Sequence, residues 1–173
     1  MKILITLILI CVTKFALAID VGELAPDFSL QSLNWQDTEF KYSQEKEFIL
    51  SEQIGKKPVY LVFWATWCVI CKKEIPNIKK IQQQLGEQIT ILAINIGQDD
   101  TVQKMQTYQK THQIPYPVAF DHGTEISSLY GVLGTPWQVI IDINGVVRYR
   151  SHRTPENLGK HINALSKRTK FSL

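Results

Sequence analysis

The sequence predicts an α/β fold: a central mixed β-sheet flanked by helices, with an N-terminal β-hairpin extension. Three observations support this prediction. From Pro58 onward, short apolar runs alternate with segments of helical spacing. Near the end of the chain, Asn144-Gly145 separates two further apolar runs, which indicates a hairpin. The 173 residues are 45% hydrophobic, enough for one domain with a sizeable core.

Residues 1–18 have the pattern of a secretory signal peptide. A basic residue precedes an almost wholly apolar run over residues 3–13, and the tripeptide ending at Ala18 fits a small-x-small cleavage site. The run is shorter than the ~20 residues that a bilayer span needs. We therefore predict cleavage after Ala18 and one domain over residues 19–173; an uncleaved membrane anchor is the alternative.

The segment before Pro58 predicts a hairpin followed by a turn. Polar and apolar residues alternate over 26–30 and again over 39–42, as in half-buried strands. The polar stretches that separate and follow them are predicted loops. Residues 50–55 predict a short helical turn that ends at Gly55, where glycine adopts a left-handed cap at little cost.

The elements after Pro58 are predicted in the order βαβα followed by ββα. A continuous apolar run over 59–64 is typical of a central strand, and residues 71–85 place their apolar side chains within one helical arc. The other predicted elements are a strand over 90–96, a helix capped by Asp99 or Asp100 and bearing Val102, Met105 and Tyr108, a strand over 118–120, a helix over 125–130, strands over 137–142 and 146–150, and a helix opened by Thr154-Pro155 with Leu158, Ile162 and Leu165 as its buried stripe.

Charge and cysteine content exclude several classes of protein. Removal of residues 1–18 takes away two lysines and leaves 17 basic against 16 acidic residues, so neither nucleic acid nor an anionic membrane surface is an expected partner. Cys11 lies in that removed segment, so Cys68 and Cys71 are the cysteines of the mature chain. A pair this closely spaced constrains too little chain to act as a disulfide scaffold.

The spacing of Cys68 and Cys71 instead indicates redox chemistry. Cys68 is expected at the N-terminus of the predicted helix, where unpaired N–H groups and the helix dipole stabilise a thiolate. Cys71, one turn further on and within the apolar arc, is expected to be more buried. Cys68 then attacks a substrate disulfide and Cys71 resolves the mixed disulfide; the same pair run in reverse oxidises a dithiol.

Glu74 lies within the apolar arc of the same helix rather than on its lysine face. A carboxylate in that position is partly desolvated, and its pKa is expected to rise. We predict that Glu74 carries the proton of the Cys71 thiol. The alternative is a carboxylate that reaches out to Lys73 or to solvent.

Two motifs resemble the thioredoxin superfamily. The segment from Trp64 to Cys71 is similar to its active-site sequence, and Glu74 three residues after the second cysteine resembles the extracytoplasmic branch typified by TlpA and ResA. Gly134-Thr135-Pro136 resembles the cis-proline motif that faces the cysteines.

The resemblance implies a thioredoxin-like fold in which Trp67, Thr135 and Pro136 contact substrate. It also implies a monomeric periplasmic thiol:disulfide oxidoreductase that acts on protein thiols and disulfides, without cofactor or metal. A membrane-embedded electron donor and a place in cytochrome c biogenesis follow from the same resemblance. A reductant is the expected direction, with a disulfide-forming oxidase as the alternative.

The sequence also departs from known relatives. Val69-Ile70 replaces the more usual dipeptides between the cysteines, and Trp137-Gln138 follows the proline where the cytochrome c maturation member has Glu-Thr. The Pro-x-x-x-Thr-x-x-Cys pattern of peroxiredoxins is absent, because Leu61 and Ala65 occupy those positions.

A non-enzymatic copper-binding chaperone is a further alternative. It requires His122 or His152 to approach the two cysteines. The four histidines are scattered along the sequence, however, and are predicted to lie on the surface.

Overall fold

The computed structural model describes residues 19–33 and 47–168. The predicted signal peptide and the strand predicted over 39–42 lie outside these residues. The strands are β1 (Ser29–Leu33), β2 (Glu47–Ile49), β3 (Val59–Trp64), β4 (Thr90–Asn95), β5 (Val118–Phe120), β6 (Trp137–Ile141) and β7 (Val147–Ser151). The helices are α1 (Val69–Leu85), α2 (Val102–Thr111), α3 (Glu125–Leu129) and α4 (Leu158–Leu165), with a 3-10 turn (His122–Thr124) before α3.

The strands of the described chain form one mixed sheet in the order β2-β1-β5-β4-β3-β6-β7. The pairs β3–β4 and β4–β5 are parallel, and the other neighbours are antiparallel. The predicted central mixed sheet with flanking helices is confirmed. The hairpin of β6 and β7 is confirmed as well, and Gly145 in its turn has φ 83°.

β3 positions the functional residues because it is central and buried over its whole length. Its apolar residues pack on both faces of the sheet, and burial of each such side chain contributes about 1.5–3 kcal/mol. The strand ends at Trp64, and α1 begins five residues later. The segment from Ala65 to Cys68 is therefore held between a rigid strand and a helix.

The N-terminal hairpin exists, formed by β1 and β2, but β1 is shifted from the strand predicted over 26–30. β1 begins at Ser29 and pairs with both β2 and β5, so residues 31–33, predicted as loop, are strand. Glu47, also predicted as loop, is the first residue of β2. Pro26 and Asp27 are used elsewhere: the Pro26 carbonyl accepts from Tyr130 Oη, and Asp27 accepts the N–H of Phe28 and of Ser51.

Residues 51–56 form turns rather than the predicted helical turn. Gly55 has the expected left-handed conformation, with φ 80°.

The predicted starts of two helices were wrong. α2 is capped by Thr101, whose side chain accepts the N–H of Lys104, and not by Asp99 or Asp100. α4 begins at Leu158 rather than at Thr154-Pro155. The reason is the same in both cases: Asp100 and Thr154 bond to residues far away in the sequence, so neither is free to cap the helix that follows it.

In the described part of the chain, no helix is both long enough and apolar enough to cross a membrane.

Candidate active site

Cys68 and Cys71 form a disulfide at the beginning of α1. Cys68 is the last non-helical residue before α1, with φ −76° and ψ 102°. Its Sγ accepts a hydrogen bond from the backbone N–H of Cys71 at 3.1 Å. This sulfur stands where the thiolate forms on reduction, so the same N–H and the positive end of α1 are available to stabilise that thiolate. Cys68 therefore lies at the helix N-terminus, as predicted.

The expected difference in burial between the two cysteines is absent from this disulfide. Cys68 is 6% exposed and Cys71 is 5% exposed. The reason is that the S–S bond holds both sulfurs against the same core. The two sulfurs differ instead in their places on the helix, since Cys68 is at the cap and Cys71 is in the first turn.

Apolar side chains adjacent to the disulfide are exposed. Trp67 is 50% exposed, Val69 is 69% exposed and Ile70 is 58% exposed. The Trp67 indole is held in place because its Nε1 donates to the carbonyl of Gln98 at 2.8 Å. The dipeptide that distinguishes this chain between its cysteines therefore faces solvent, where an incoming protein can contact it.

The predicted substrate-binding residues Thr135 and Pro136 lie in the loop before β6. The Thr135–Pro136 peptide bond is cis. Pro136 and Cys71 line the same small cavity, so the proline loop and α1 are adjacent. The Thr135 hydroxyl is buried and has no hydrogen-bond partner within the described residues. Leu133, near the start of this loop, is 95% exposed.

His152 supports the proline loop, a role that the sequence did not reveal. Its Nδ1 lies 2.8 Å from the Pro136 carbonyl oxygen, and since a carbonyl only accepts, Nδ1 carries the proton. The His152 ring packs edge-on against Trp137 with ring centres 4.3 Å apart. Arg150 lies over the same indole at 4.8 Å and donates to the Gly131 carbonyl. Trp137 is thus packed beneath the loop.

Asp100 fixes the segment that precedes Cys68, and sequence reasoning assigned it only a capping role. Its carboxylate accepts the backbone N–H and the hydroxyl of Thr66, both at 2.8 Å. It also accepts the side-chain N–H of the fully buried Asn95 at 2.7 Å. Asn95 in turn accepts the N–H of Gly97. These bonds tie the loop after β4 to the loop before α1.

Glu74 is half-buried on α1 and lines the cavity that also contacts Cys71. Its Oε2 accepts hydrogen bonds from the Thr154 hydroxyl and, at 3.4 Å, from the Asn77 amide. The carboxylate therefore points toward the segment after β7. Its predicted part in proton transfer stays a prediction.

A hydrogen-bonded chain continues from Glu74 into the core. Thr154 Oγ1 accepts from Gln138 Nε2 at 3.2 Å, and Gln138 Oε1 accepts from the Tyr60 hydroxyl. Tyr60 and Gln138 are both completely buried. They lie on β3 and β6, where Gln138 is opposite Val62 and hence diagonal to Tyr60. The sequence gives no local signal for this chain because its members are far apart.

The cavity beside Cys71 has a volume of about 20 Å³. That is room for about one water molecule. Its lining is almost entirely apolar. The residues that line it are Val62, Trp64, Cys71, Glu74, Ile75, Ile78, Ala93, Ile114, Tyr116 and Pro136.

Within the residues that the structure describes, no group of three or more His, Cys, Asp or Glu side chains is arranged to hold a metal ion. His122, His152 and His161 are exposed, as predicted, whereas His112 is half-buried against Tyr108. Desolvation and the nearby charges of two lysines lower the pKa of His112.

Comparison with known proteins agrees with this geometry. The model of the AhpC/TSA family matches residues 21–150. The chain belongs to the AhpC/TSA family. It is 30% identical to the thioredoxin-like protein YneN of Bacillus subtilis over 137 residues, which cover 79% of this chain and 74% of that protein. It is 29% identical to the thiol-disulfide oxidoreductase ResA of Bacillus thuringiensis over 150 residues, which cover 85% and 79%.

A solved structure of another protein has a fold similar to that of this chain. The structure of a Chlorobium tepidum protein assigned as thiol:disulfide interchange protein DsbE matches with a TM-score of 0.69 at 28% identity. The match covers 85% of this chain and 98% of that one. The thioredoxin-like fold is confirmed. Together with the Cys68–Cys71 pair, these relatives identify the chain as a ResA-like thiol:disulfide oxidoreductase.

Proposed function

We propose that the chain is an extracytoplasmic thiol:disulfide oxidoreductase that reduces protein disulfides. The observation that carries the exchange chemistry is the environment of Cys68, whose Sγ accepts the N–H of Cys71 at the start of α1. The reducing direction is proposed from the resemblance to the TlpA/ResA branch. An N–H donor and a helix N-terminus favour the thiolate, which is the attacking species in disulfide exchange.

The reaction proceeds in two exchanges. The Cys68 thiolate attacks a substrate disulfide, the substrate S–S bond breaks, and one substrate thiolate leaves. The Cys71 thiolate then attacks Cys68 Sγ, so that the Cys68–Cys71 disulfide forms and the second substrate thiolate leaves. Two electrons pass to the substrate, and its two thiolates take up protons. Glu74 accepts the proton that Cys71 loses on becoming a nucleophile.

Substrate docks on the surface around the disulfide. Trp67 provides an exposed aromatic face, and the backbone at Thr135 and Pro136 pairs with an extended segment of the substrate. Val69 and Ile70 extend this surface with apolar area, which favours substrates whose disulfide is flanked by apolar residues.

Residues 1–18 direct export and are removed, and residues 19–173 form the working domain, a monomer in the periplasm. A dithiol in a membrane-embedded partner regenerates the reduced pair by the reverse exchange. The resemblance to the TlpA/ResA branch supports a place in cytochrome c biogenesis. Trp137 and Gln138 replace the residues that the cytochrome c maturation member has after the proline, so the packing beneath the proline loop differs from that of this relative.

The deciding experiment is the reduction potential of the Cys68/Cys71 couple, measured against glutathione, together with reduction of a protein disulfide. A potential well below about −200 mV supports a reductant, and one near about −120 mV would replace it with the oxidase alternative. Cys68→Ser is expected to abolish exchange, whereas Cys71→Ser is expected to accumulate the mixed disulfide. Exchange that persists in Cys68→Ser, or a Cys71→Ser variant that accumulates no mixed disulfide, would contradict the proposal.

A further inference from the structure

The chain from Tyr60 to Glu74 has a defined direction. An ionised carboxylate only accepts, so the Thr154 hydroxyl donates its one hydrogen to Glu74. The same hydroxyl must therefore accept from Gln138 Nε2, which turns Gln138 Oε1 toward Tyr60. Every donor in the chain points toward the carboxylate, and aligned hydrogen bonds of this kind strengthen one another.

Tyr60 is suited to begin such a chain. It is completely buried, and desolvation raises the pKa of its phenol, so the hydroxyl keeps its proton and remains a donor. Gln138 is equally buried, and its amide has both the acceptor and the donor that the chain requires. Within the described residues, neither Tyr60 nor Gln138 bonds to Cys68 or Cys71. An effect of these two side chains on the cysteine thiols must therefore pass through Glu74.

The chain also selects one oxygen of the carboxylate. Both hydrogen bonds that Glu74 accepts within the described residues end on Oε2. Oε1 is the oxygen left to exchange a proton. A groove that Glu74 also lines contains Lys80 of the same helix and His152, Arg153 and Glu156 of the segment after β7. Lys80 and Arg153 attract the carboxylate and Glu156 repels it.

We propose that Tyr60 and Gln138 are positioning residues, which hold Thr154 in its donor orientation and so fix the Glu74 carboxylate through Oε2, while the Glu74 side chain lines the cavity beside Cys71. This inference rests on the proposed role of Glu74. It extends that role to two core residues on β3 and β6, one of which lies two positions after Pro136.

The test is a pH titration of the Cys71 thiol in the reduced protein, monitored by NMR of isotopically labelled cysteine. Glu74→Gln removes a negative charge near Cys71 and is expected to lower the titration midpoint of that thiol. Tyr60→Phe is expected to give a shift in the same direction, about one tenth to one third as large, because one bond of a cooperative chain is lost. Gln138→Met breaks the chain at Thr154 and is expected to shift the midpoint further than Tyr60→Phe.

Tyr130→Phe is the matched control. Tyr130 is also completely buried and its hydroxyl donates to the Pro26 carbonyl at 2.8 Å, away from Glu74. This variant loses one buried hydrogen bond as Tyr60→Phe does, and its Cys71 titration is expected to match that of the wild type. A merely structural effect of removing a buried hydroxyl would move both variants alike.

The second arm repeats Tyr60→Phe and Gln138→Met in the Glu74→Gln background. If both residues act through Glu74, their shifts disappear there. Unshifted midpoints in the single variants, or shifts that persist in the Glu74→Gln background, would overturn the inference. The thiol titration requires no substrate. Failure of the proposed function is seen instead as absence of protein disulfide reduction by the wild type.

Discussion

Asp100→Asn tests whether the loop after β4 holds the segment that leads into Cys68. The Asp100 carboxylate accepts two hydrogen bonds from Thr66 and one from Asn95, at 2.7–2.8 Å. It also accepts the N–H of Thr101 at 3.1 Å. Asparagine keeps the shape of the side chain but replaces one acceptor oxygen with an NH2 donor. That NH2 group then faces the donor groups that the carboxylate oxygen had accepted from.

The expected loss of stability follows from these contacts. A hydrogen bond to a charged group contributes about 1.5–3 kcal/mol, and a buried donor left unpaired costs about 1–3 kcal/mol. Asn95 is completely buried, so its amide cannot turn to water. Asp100 itself is half-buried, so solvent weakens its hydrogen bonds and the loss of stability is expected toward the lower end of these ranges. We expect Asp100→Asn to lower the free energy of unfolding by about 2–3 kcal/mol.

The assay is urea unfolding of the oxidised protein followed by tryptophan fluorescence. Asp99→Asn is the control, because Asp99 is the adjacent exposed carboxylate and asparagine tolerates its φ of 53°. That variant is expected to unfold within about 0.5 kcal/mol of the wild type, as surface substitutions do. Equal stability of the two variants would refute the argument that Asp100 fixes Thr66.

Further predictions concern pH, a loop and the docking face. Burial raises the pKa of Tyr60, Tyr116 and Tyr130, so above a pH of about 10 the unfolded chain loses protons that the folded chain keeps. Above that pH the free energy of unfolding is expected to fall by about 1.4 kcal/mol per pH unit for each tyrosine. A free energy of unfolding that does not fall with this slope would contradict the raised pKa of these tyrosines. Gly97→Ala is expected to cost more than about 2 kcal/mol in urea unfolding, since its φ is 72° and an added Cβ would lie 2.2 Å from a main-chain carbonyl oxygen. Trp67→Ala is expected to slow reduction of a protein disulfide while leaving reaction with a small disulfide unchanged; equal slowing of both would remove the indole from the docking face.

Local patterns were sufficient for the elements around the cysteines. Residues 59–64 form a buried strand because their apolar run leaves no polar face for solvent. Helix α1 covers the predicted arc, and Cys68 caps it. The reason for this success is that strand, cap and helix follow each other directly, so the information needed lies within a few turns of chain.

The N-terminal strands were harder to predict because their pairing is not local. β1 lies between β2 and β5, and its second half is strand because it pairs with Val118 and Ala119. In the sequence this half begins the largely polar stretch over residues 31–38, which is typical of a loop. A neighbouring strand from a distant segment supplies the hydrogen bonds that override this local preference.

The sequence by itself determined the redox pair, its place at a helix N-terminus and the central sheet, because spacing and periodicity encode them directly. The proline motif was identified by its resemblance to the thioredoxin superfamily. Only the tertiary structure decided where the polar side chains of the site are directed. Thr66 bonds to Asp100 across 34 residues, and Thr154 bonds to Glu74 across 80. Each of these polar residues had a plausible local partner, as a helix cap or in solvent. The partner actually used depends on which segments the sheet brings together, since a buried donor or acceptor must be satisfied by whatever lies beside it.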